Sequence, residues 1–332
     1  MNLNLAQIEA VTSGAQRITE EADGIHFYRF NEAQTAFYGD RSAHVPNTAG
    51  VALRFRTDST ALYLKIGVSK LPKASRSYFA VDVFQNGAFL GDIRNFEETE
   101  LMRKYTLMPL PLGEFEKEFA LCEGEKELCI HLPWNLITVL KELRLDDGAS
   151  LVSAKREKKL LCFGDSISQG FDALHPSRRY TARVADYLGM SEYNLAIGGE
   201  MFRPTLAAIP TSFTPDRITV AYGTNDWRHR TVEEFDESCR LFYKNLRETY
   251  PDTPILAIAP LWRKIADQVY ECGPFRSLYE RIKAFTSDLP NVTVVDGYDL
   301  IPHFSDYFAD LTLHPNGAGY DRYFEGLIPY LK

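Results

Sequence analysis

Two patterns of hydrophobic and polar positions divide the chain. In the first half, short runs alternate apolar and polar side chains and are separated by turn residues. Residues 51–56 and 60–66 flank Asp58-Ser59 and predict a hairpin, and Asn86-Gly87 between two further runs predicts another. No helix-length amphipathic segment interrupts these runs, which is typical of an antiparallel β-sandwich.

After Asp147 the pattern changes to strand-like apolar runs that alternate with amphipathic segments of helix length. This order is typical of βαβ units and a parallel sheet. The clearest helix begins at Thr231-Val232-Glu233-Glu234, which fits a capping box. We predict an α/β fold with a β-sandwich domain over residues 1–152 and a doubly wound parallel-sheet domain over residues 153–332. The predicted parallel strands are residues 160–163, 193–197, 218–222, 255–260 and 292–295.

Composition and charge narrow the set of partners. The 332 residues are 45% hydrophobic, enough for two cores, and the formal net charge of -8 offers no basic surface to nucleic acid or an anionic membrane. We therefore expect a small-molecule partner, no nucleic acid and no membrane. The amino terminus lacks the features of a signal peptide and the five cysteines are scattered, so we expect a cytoplasmic protein with reduced thiols. The sequence leaves a homo-oligomer open.

Candidate catalytic residues follow the ends of the predicted strands or precede the last predicted helix. Ser166 follows the first predicted parallel strand, Gly199 the second and Asn225 the third, and His314 precedes the last predicted helix. Ligands of open α/β sheets bind beyond the carboxyl ends of the strands, so these four residues are expected to meet. Ser166 offers a nucleophile and His314 a base, while Gly199, Asn225 and the Ser166 amide offer donors for an oxyanion.

The sequence blocks around these residues resemble those of SGNH/GDSL hydrolases, in the same order. The blocks are Gly164-Asp165-Ser166, residues 194–199, Gly223-Thr224-Asn225-Asp226 and His314-Pro315-Asn316. The resemblance covers residues 159–332 and implies a flavodoxin-like hydrolase domain with Ser166 as nucleophile, Gly199 and Asn225 as oxyanion donors and His314 as base. Residues 50–56 and 79–83 also resemble the β-sandwich that precedes the catalytic domain in some of these esterases.

The chain departs from the family pattern at the acid. The family usually places an Asp three residues before the His, but here that position is Leu311 and the nearest aspartate is Asp310. A bulge or turn would let Asp310 reach Nδ1 of His314, and we predict Asp310 as the orienting acid. The alternative is a backbone carbonyl that orients the imidazole, which would leave a Ser166–His314 dyad.

The remaining candidates are given structural interpretations. Asp165 and Asp226 are expected to hold their loops by hydrogen bonds to the backbone, and His175, His229 and His303 to be surface or loop residues. Trp227 and Trp262 either stack on a sugar face or form pocket wall. No metal-ligand spacing and no phosphate-binding loop occurs in the sequence, so we expect no cofactor and no metal.

These observations predict a serine esterase that acts through an acyl-enzyme on Ser166. The resemblance implies a short acyl group, most simply acetyl, on a carbohydrate or oligosaccharide ester. The alternatives are a thioesterase, a lysophospholipase-type acylhydrolase, or a carbohydrate-binding protein without activity. The sandwich is left with three roles open: glycan binding, shaping of the pocket rim, or dimerisation.

Overall fold

A computed structural model describes residues 1–40, 45–72, 74, 76–97 and 109–332. The amino-terminal half of the described chain forms two antiparallel sheets with the strand orders β1-β4-β9-β6-β7, with β11 on β4, and β2-β3-β10-β5-β8. The first sheet contains β1 (Thr12–Ser13), β4 (Ala52–Thr57), β6 (Ala80–Gln85), β7 (Ala88–Arg94), β9 (Lys126–His131) and β11 (Val152–Ser153). The second contains β2 (Arg17–Glu21), β3 (Gly24–Tyr28), β5 (Ala61–Lys70), β8 (Gly113–Ala120) and β10 (Leu136–Leu145).

The two antiparallel sheets share one apolar core, as the predicted sandwich requires. Side chains of alternate residues point to opposite faces of a strand, and in β5 the residues Leu62, Leu64 and Ile66 are buried while their neighbours are not. These three residues pack in the same cluster as Leu53 and Phe55 of the other sheet. The alternation in the sequence therefore corresponds to a single buried face on each sheet.

One of the two predicted hairpins is confirmed and the other is wrong. Strands β6 and β7 pair antiparallel around Asn86 and Gly87, whose φ angles of 52° and 79° suit a tight hairpin turn. Strand β4 pairs with β1, β9 and β11, whereas β5 pairs with β8 and β10, so the loop at Asp58-Ser59 crosses from one sheet to the other. Both strands turn an apolar face to the shared core, and alternation alone does not identify the pairing partner.

The carboxy-terminal half contains five parallel strands in the order β13-β12-β14-β15-β18. These strands are β12 (Lys159–Gly164), β13 (Ser191–Asn194), β14 (Arg217–Ala221), β15 (Ile255–Ile258) and β18 (Val292–Val295). The short strands β16 (Val269–Tyr270) and β17 (Gly273–Pro274) form a separate two-stranded sheet. The predicted parallel sheet is therefore confirmed, although three strands, β13, β14 and β15, end earlier than predicted. The chain leaves β13 after Asn194 because the Asn194 side chain accepts a hydrogen bond from the Ala196 amide and donates one to the Ser168 carbonyl.

Helices cover both faces of the parallel sheet, which makes it doubly wound. On one face, α4 and α9 pack on the apolar side chains of β12 and β15, and on the other face α5, α7 and α8 do so. The long helix α7 begins after Thr231 with the predicted capping box. The α-helices are α1 (Leu5–Val11), α2 (Glu32–Tyr38), α3 (Ser166–Gln169), α4 (Tyr180–Tyr187), α5 (Pro204–Ala207), α6 (Thr224–His229), α7 (Val232–Thr249), α8 (Ser277–Thr286) and α9 (Gly317–Leu327). In the described part of the chain, none of them combines the length and apolar character needed to cross a bilayer.

The two halves are packed against each other. Phe30 and Tyr38, from the segment around α2, belong to the same apolar core as β12 and β14. The buried Arg29 guanidinium donates hydrogen bonds to the carbonyl oxygens of Asn194 and Ala196, just beyond β13. The division at residue 152 stays a prediction, because a segment of the first half completes the core of the second.

Candidate active site

Ser166 is the first residue of α3, directly after the tight turn that follows β12. The side chain of Asp165 caps the short helix by accepting a hydrogen bond from the Ile167 amide at 2.9 Å. A Cβ atom on Gly164 would lie 2.1 Å from Ser168 Oγ, so this turn requires glycine before Asp165. The strand order reverses at β12, between β13 and β14, and Ser166 is therefore placed at the topological switch point of the sheet.

The structure brings Ser166, His314 and Asp310 into one chain of hydrogen bonds. Ser166 Oγ lies 2.9 Å from His314 Nε2, and His314 Nδ1 lies 2.7 Å from Asp310 Oδ2. The group at Nδ1 is thus a carboxylate oxygen of Asp310. This arrangement allows the imidazole to take a proton from the serine hydroxyl while the carboxylate stabilises the imidazolium.

Asp310 reaches His314 from four residues upstream because the intervening chain makes a tight turn. Leu311 adopts a left-handed backbone with a φ of 62°. Asp310 Oδ1 accepts hydrogen bonds from the amides of Thr312, Leu313 and His314 at 2.9, 2.7 and 3.1 Å. Burial disfavours the charged carboxylate, but the bond and charge of His314 and these amides outweigh burial and hold the pKa of Asp310 well below its usual range.

The two other predicted site residues face the same pocket. Gly199 has a φ of 75°, a conformation that favours glycine, and Asn225 lies in the first turn of α6. The Asn225 side chain donates one hydrogen bond to the Glu200 carbonyl at 3.0 Å, which orients the amide and leaves its second N–H for a ligand. All four predicted residues, Ser166, Gly199, Asn225 and His314, line one pocket.

Both halves of the chain build this active-site pocket, whose volume is about 340 Å³. The amino-terminal half contributes Leu71, Ala74, Arg76, Trp134 and Asn135, and the carboxy-terminal half contributes Ser166, Gln169, Phe171, Ile197, Gly198, Gly199, Asn225, Leu313 and His314. The sequence left open that the sandwich shapes the pocket rim but indicated none of these residues, because residues on sandwich loops carry no motif that points to a site on the other domain. The sandwich shapes the rim of the pocket.

Gln169 connects the two halves directly behind Ser166. Its side-chain oxygen accepts a hydrogen bond from the Gly198 amide at 2.8 Å, and its side-chain nitrogen donates to the Trp134 carbonyl at 3.0 Å. The first bond fixes the loop that carries Gly199, and the second ties that loop to the sandwich. Gln169 was also missed, because it follows the Gly164-Asp165-Ser166 block, whose predicted chemistry was assigned to Ser166 alone.

The residues interpreted as structural behave mostly as expected. Asp226 accepts a hydrogen bond from the Phe202 amide and forms an ion pair with Arg230. His229 and His303 are exposed, whereas His175 is half-buried and bonds Asp82 of the sandwich at 2.7 Å. The sugar-stacking interpretation of Trp227 is wrong, because its side chain is fully buried and its indole N–H donates to the Gly273 carbonyl. Trp262 stacks on the His303 ring at 5.3 Å.

Two groups of described side chains bring possible metal ligands within 4.8 Å of one another. One group is Glu21, Asp23 and His26 on the β2–β3 hairpin, and the other is Asp172, Asp310 and His314 at the pocket. In the second group, the hydrogen bond between Asp310 and His314 already uses the Nδ1 lone pair or proton. The chemistry of this group is therefore that of an imidazole held by a carboxylate.

The buried carboxyl of Asp165 predicts a pH-dependent stability. Burial raises the pKa of Asp165 to about 7 from 3.8, so the folded state binds this proton more tightly than the unfolded chain. The stability from this proton is complete below about pH 4 and is lost as the pH rises through about 7. Asp165→Asn keeps the cap to Ile167 but carries no charge. We therefore expect the thermal midpoint of Asp165→Asn, relative to that of the wild type, to be higher at about pH 8 than at about pH 5 when both are measured by calorimetry. The same difference in thermal midpoint at both pH values would contradict this prediction.

The chain is similar to known proteins both in sequence and in fold. Residues 162–322 match the GDSL-like Lipase/Acylhydrolase family. No curated protein sequence matches the chain. A salicylyl-acyltransferase from a tetracycline biosynthetic pathway has a TM-score of 0.77 at 21% identity, over 95% of this chain and 92% of that one.

Two carbohydrate esterases share the same two-part fold. A family two carbohydrate esterase from Clostridium thermocellum, solved in complex with cellohexaose, has a TM-score of 0.63 at 15% identity, over 96% of this chain and 97% of that one. An acetyl xylan esterase from the rumen bacterium Butyrivibrio proteoclasticus has a TM-score of 0.63 at 14% identity, over 100% of this chain and 97% of that one. These similarities extend over both halves of the chain, so the sandwich and the parallel-sheet domain occur together in other proteins.

Proposed function

The carboxy-terminal domain belongs to the GDSL-like lipase/acylhydrolase family, and from this premise we propose that the protein is a serine esterase that removes a short acyl group from a carbohydrate. Membership of the family makes the protein an esterase or acyltransferase. The proposal adds the nucleophile, the acyl group and the alcohol. The observation that carries it is the hydrogen-bonded chain from Ser166 through His314 to Asp310 inside a pocket.

In the proposed reaction, Ser166 Oγ attacks the ester carbonyl as His314 Nε2 takes the hydroxyl proton. The charge that develops on the carbonyl oxygen is stabilised by the Gly199 and Ser166 amides and the free N–H of Asn225. Collapse breaks the bond to the alcohol, which receives the proton from His314, and leaves an acyl-enzyme. Water, deprotonated by His314, then attacks the acyl-enzyme, the bond from the acyl carbon to Ser166 Oγ breaks, and His314 returns its proton to Ser166 as the carboxylic acid is released.

The size and walls of the pocket support a short acyl group. Ligand pockets commonly measure roughly 300–1,000 Å³, and this one, at about 340 Å³, is near the lower end. Apolar residues such as Leu71, Ile197 and Leu313 line it together with the polar Arg76 and Asn135. A small apolar space beside polar groups suits an acetyl ester of a polyol better than a long acyl chain. The similar folds of two carbohydrate esterases support a sugar as the alcohol.

The experiment compares acyl chain lengths. We expect kcat/KM for p-nitrophenyl acetate to exceed that for the octanoate ester, and acetate to be released from an acetylated xylo-oligosaccharide. A preference for octanoate would contradict the acyl group, and activity confined to the nitrophenyl ester would contradict the sugar. Added glycerol as an acceptor separates the two classes within the family, because an acyltransferase forms glyceryl acetate at the expense of acetate.

Asn225→Ala tests the proposed oxyanion donors. Loss of one preorganised donor costs about 10²- to 10³-fold in kcat. Because the donor acts on the charge of the transition state, KM for p-nitrophenyl acetate should change little. The control is Asn245→Ala, which removes an amide that donates to the Pro204 carbonyl away from the pocket and should leave kcat unchanged. A rise in KM with unchanged kcat would assign Asn225 to ground-state binding instead.

A further inference from the structure

Asp172 places a second carboxylate beside the imidazole of His314. Its side chain is fully buried, and its Oδ2 lies 3.9 Å from His314 Nδ1, the nitrogen that Asp310 bonds at 2.7 Å. Asp172 has a φ of 68°, a left-handed conformation that residues with a Cβ rarely adopt. Such a conformation persists only where surrounding contacts hold it, and a buried carboxylate needs a partner for its charge.

The partners of Asp172 come from the amino-terminal half of the chain. Arg76 donates from Nε to Asp172 Oδ1 at 3.0 Å and from Nη2 to Oδ2 at 2.9 Å, which is a two-point ion pair. The Tyr78 hydroxyl donates to Oδ1 at 2.7 Å. Both residues precede β6 of the sandwich. The positive guanidinium therefore compensates the carboxylate that lies nearest to His314 after Asp310.

Phe171 connects the same sandwich residues to the ring of His314. The Phe171 and His314 rings stack with centroids 5.4 Å apart and an interplanar angle of 29°. The Trp134 ring lies 5.0 Å from that of Phe171, and the Arg76 guanidinium carbon lies 4.9 Å from its centroid. The sandwich thus contacts Asp172 and Phe171, two of the residues that border the imidazole.

We propose that Arg76 is a positioning residue for the esterase reaction, acting on His314 through Asp172, and that the sandwich is for this reason part of the catalytic apparatus. The inference rests on the proposed function. While the guanidinium of Arg76 compensates the charge of the Asp172 carboxylate, the imidazole of His314 bonds Asp310 alone. Without the guanidinium, the Asp172 carboxylate competes for Nδ1 and stabilises the imidazolium, which then becomes a weaker acid toward the leaving alcohol.

Other charged groups also act on this part of the site. Asp165 interacts with His314 through its charge, and Arg263 interacts with Asp165 and Asp310. The variants below leave these residues in place. A shift of the pH profile between variants therefore reports the charge at Arg76 and Asp172.

The experiment measures two pH profiles for the wild type, Arg76→Met, Asp172→Asn and the double variant. One is kcat/KM for p-nitrophenyl acetate, and the other is the rate at which a fluorophosphonate modifies Ser166. In Arg76→Met we expect the acid limb of both profiles to move up by about one pH unit, because an uncompensated carboxylate favours the imidazolium. In Asp172→Asn the limb should move down, because a negative charge is lost. In the double variant the limb should return close to the wild type.

Arg281→Met is a matched control for the loss of an arginine. Arg281 donates to Asp236 at 2.7 Å and lies 5.1 Å from the Phe235 ring, so its contacts resemble those of Arg76, but it does not line the pocket. We expect its acid limb to match the wild type. If Arg76→Met does not fold, Asp172→Asn still tests the inference, because the asparagine oxygen can accept the hydrogen bonds of Arg76 Nε and the Tyr78 hydroxyl and only the bond from Arg76 Nη2 is lost.

The outcomes distinguish this inference from the proposed function. Unshifted limbs in Arg76→Met and Asp172→Asn, in a wild type that is active and labelled at Ser166, would overturn the inference alone. A loss of rate in Arg76→Met that the second substitution does not correct, with an unshifted limb, would assign Arg76 a merely structural role. A wild type that neither hydrolyses the ester nor reacts at Ser166 would overturn the proposed function.

Discussion

Ser166→Ala is expected to lower kcat for p-nitrophenyl acetate by between about 10⁴- and 10⁶-fold. The hydroxyl that would form the acyl bond lies 2.9 Å from His314 Nε2, and alanine offers no group that could form this bond. The thermal midpoint should change little, because Ser166 contributes a single side-chain hydrogen bond and alanine is compatible with the first turn of a helix. Steady-state kinetics and calorimetry on the same preparation check both parts.

Ser168→Ala is the control for this prediction. Ser168 lies in the same helical turn, and its hydroxyl bonds the Tyr180 hydroxyl at 2.6 Å inside the core. We expect Ser168→Ala to cost about 1 kcal/mol of unfolding free energy and to leave kcat within a few-fold of the wild type. A Ser166→Ala enzyme that keeps its rate, or a Ser168→Ala enzyme that loses it, would place the nucleophile elsewhere.

The positions of three site residues were accessible from the sequence for a simple reason. Ser166, Gly199 and Asn225 each follow a buried apolar run that reads as a strand, and parallel strands bring their carboxyl ends to one edge of the sheet. The apolar runs therefore locate the strands, and the strand ends predict which distant residues lie close together. The pairing of β4 was not accessible in this way. The alternation of apolar and polar residues shows which face of β4 is buried, but it does not show which strand lies beside β4 in the sheet.

Contacts between the two halves were beyond the sequence for a different reason. Arg76 and Asp172 are far apart in the chain, and neither stands at a strand end or in a recognisable block. Their ion pair depends on how one domain packs on the other, which local pattern does not encode. Trp227 was misread for a related reason, since a residue next to a site motif can point into the core as readily as into the pocket.

The sequence predicted Asp310 as the orienting acid but kept a backbone carbonyl as the alternative, because the spacing of Asp310 from His314 differs by one residue from the family pattern. The extra residue is accommodated by the left-handed turn at Leu311, which lets the carboxylate accept three backbone amides and the imidazole together. Neither alternation nor composition predicts such a turn, because leucine rarely adopts a φ of 62°. The backbone amides that hold Asp310 also decide what a substitution there will do.

Asp310→Asn is expected to lower kcat by about 10⁴-fold. The amides of Thr312, Leu313 and His314 require an acceptor, so the asparagine oxygen must take the place of Oδ1 and its NH₂ group must face His314 Nδ1. The imidazole would then accept at Nδ1 and carry its proton on Nε2, the tautomer that cannot take a proton from Ser166. Steady-state kinetics would detect the loss, and fluorophosphonate labelling of Ser166 should slow in parallel.

Two comparisons make this prediction specific to the tautomer. The carboxylate of Asp146 accepts a hydrogen bond from the Thr60 amide in a sandwich loop that does not line the pocket. Asp146→Asn should therefore leave kcat unchanged. Asp310→Ala removes the amide that would enforce the wrong tautomer, so Asp310→Ala should retain at least as much activity as Asp310→Asn, even though it loses more unfolding free energy. If Asp310→Asn keeps most of the wild-type rate, the carboxylate does not orient His314, and the proton acceptance must rest on Ser166 and His314 alone.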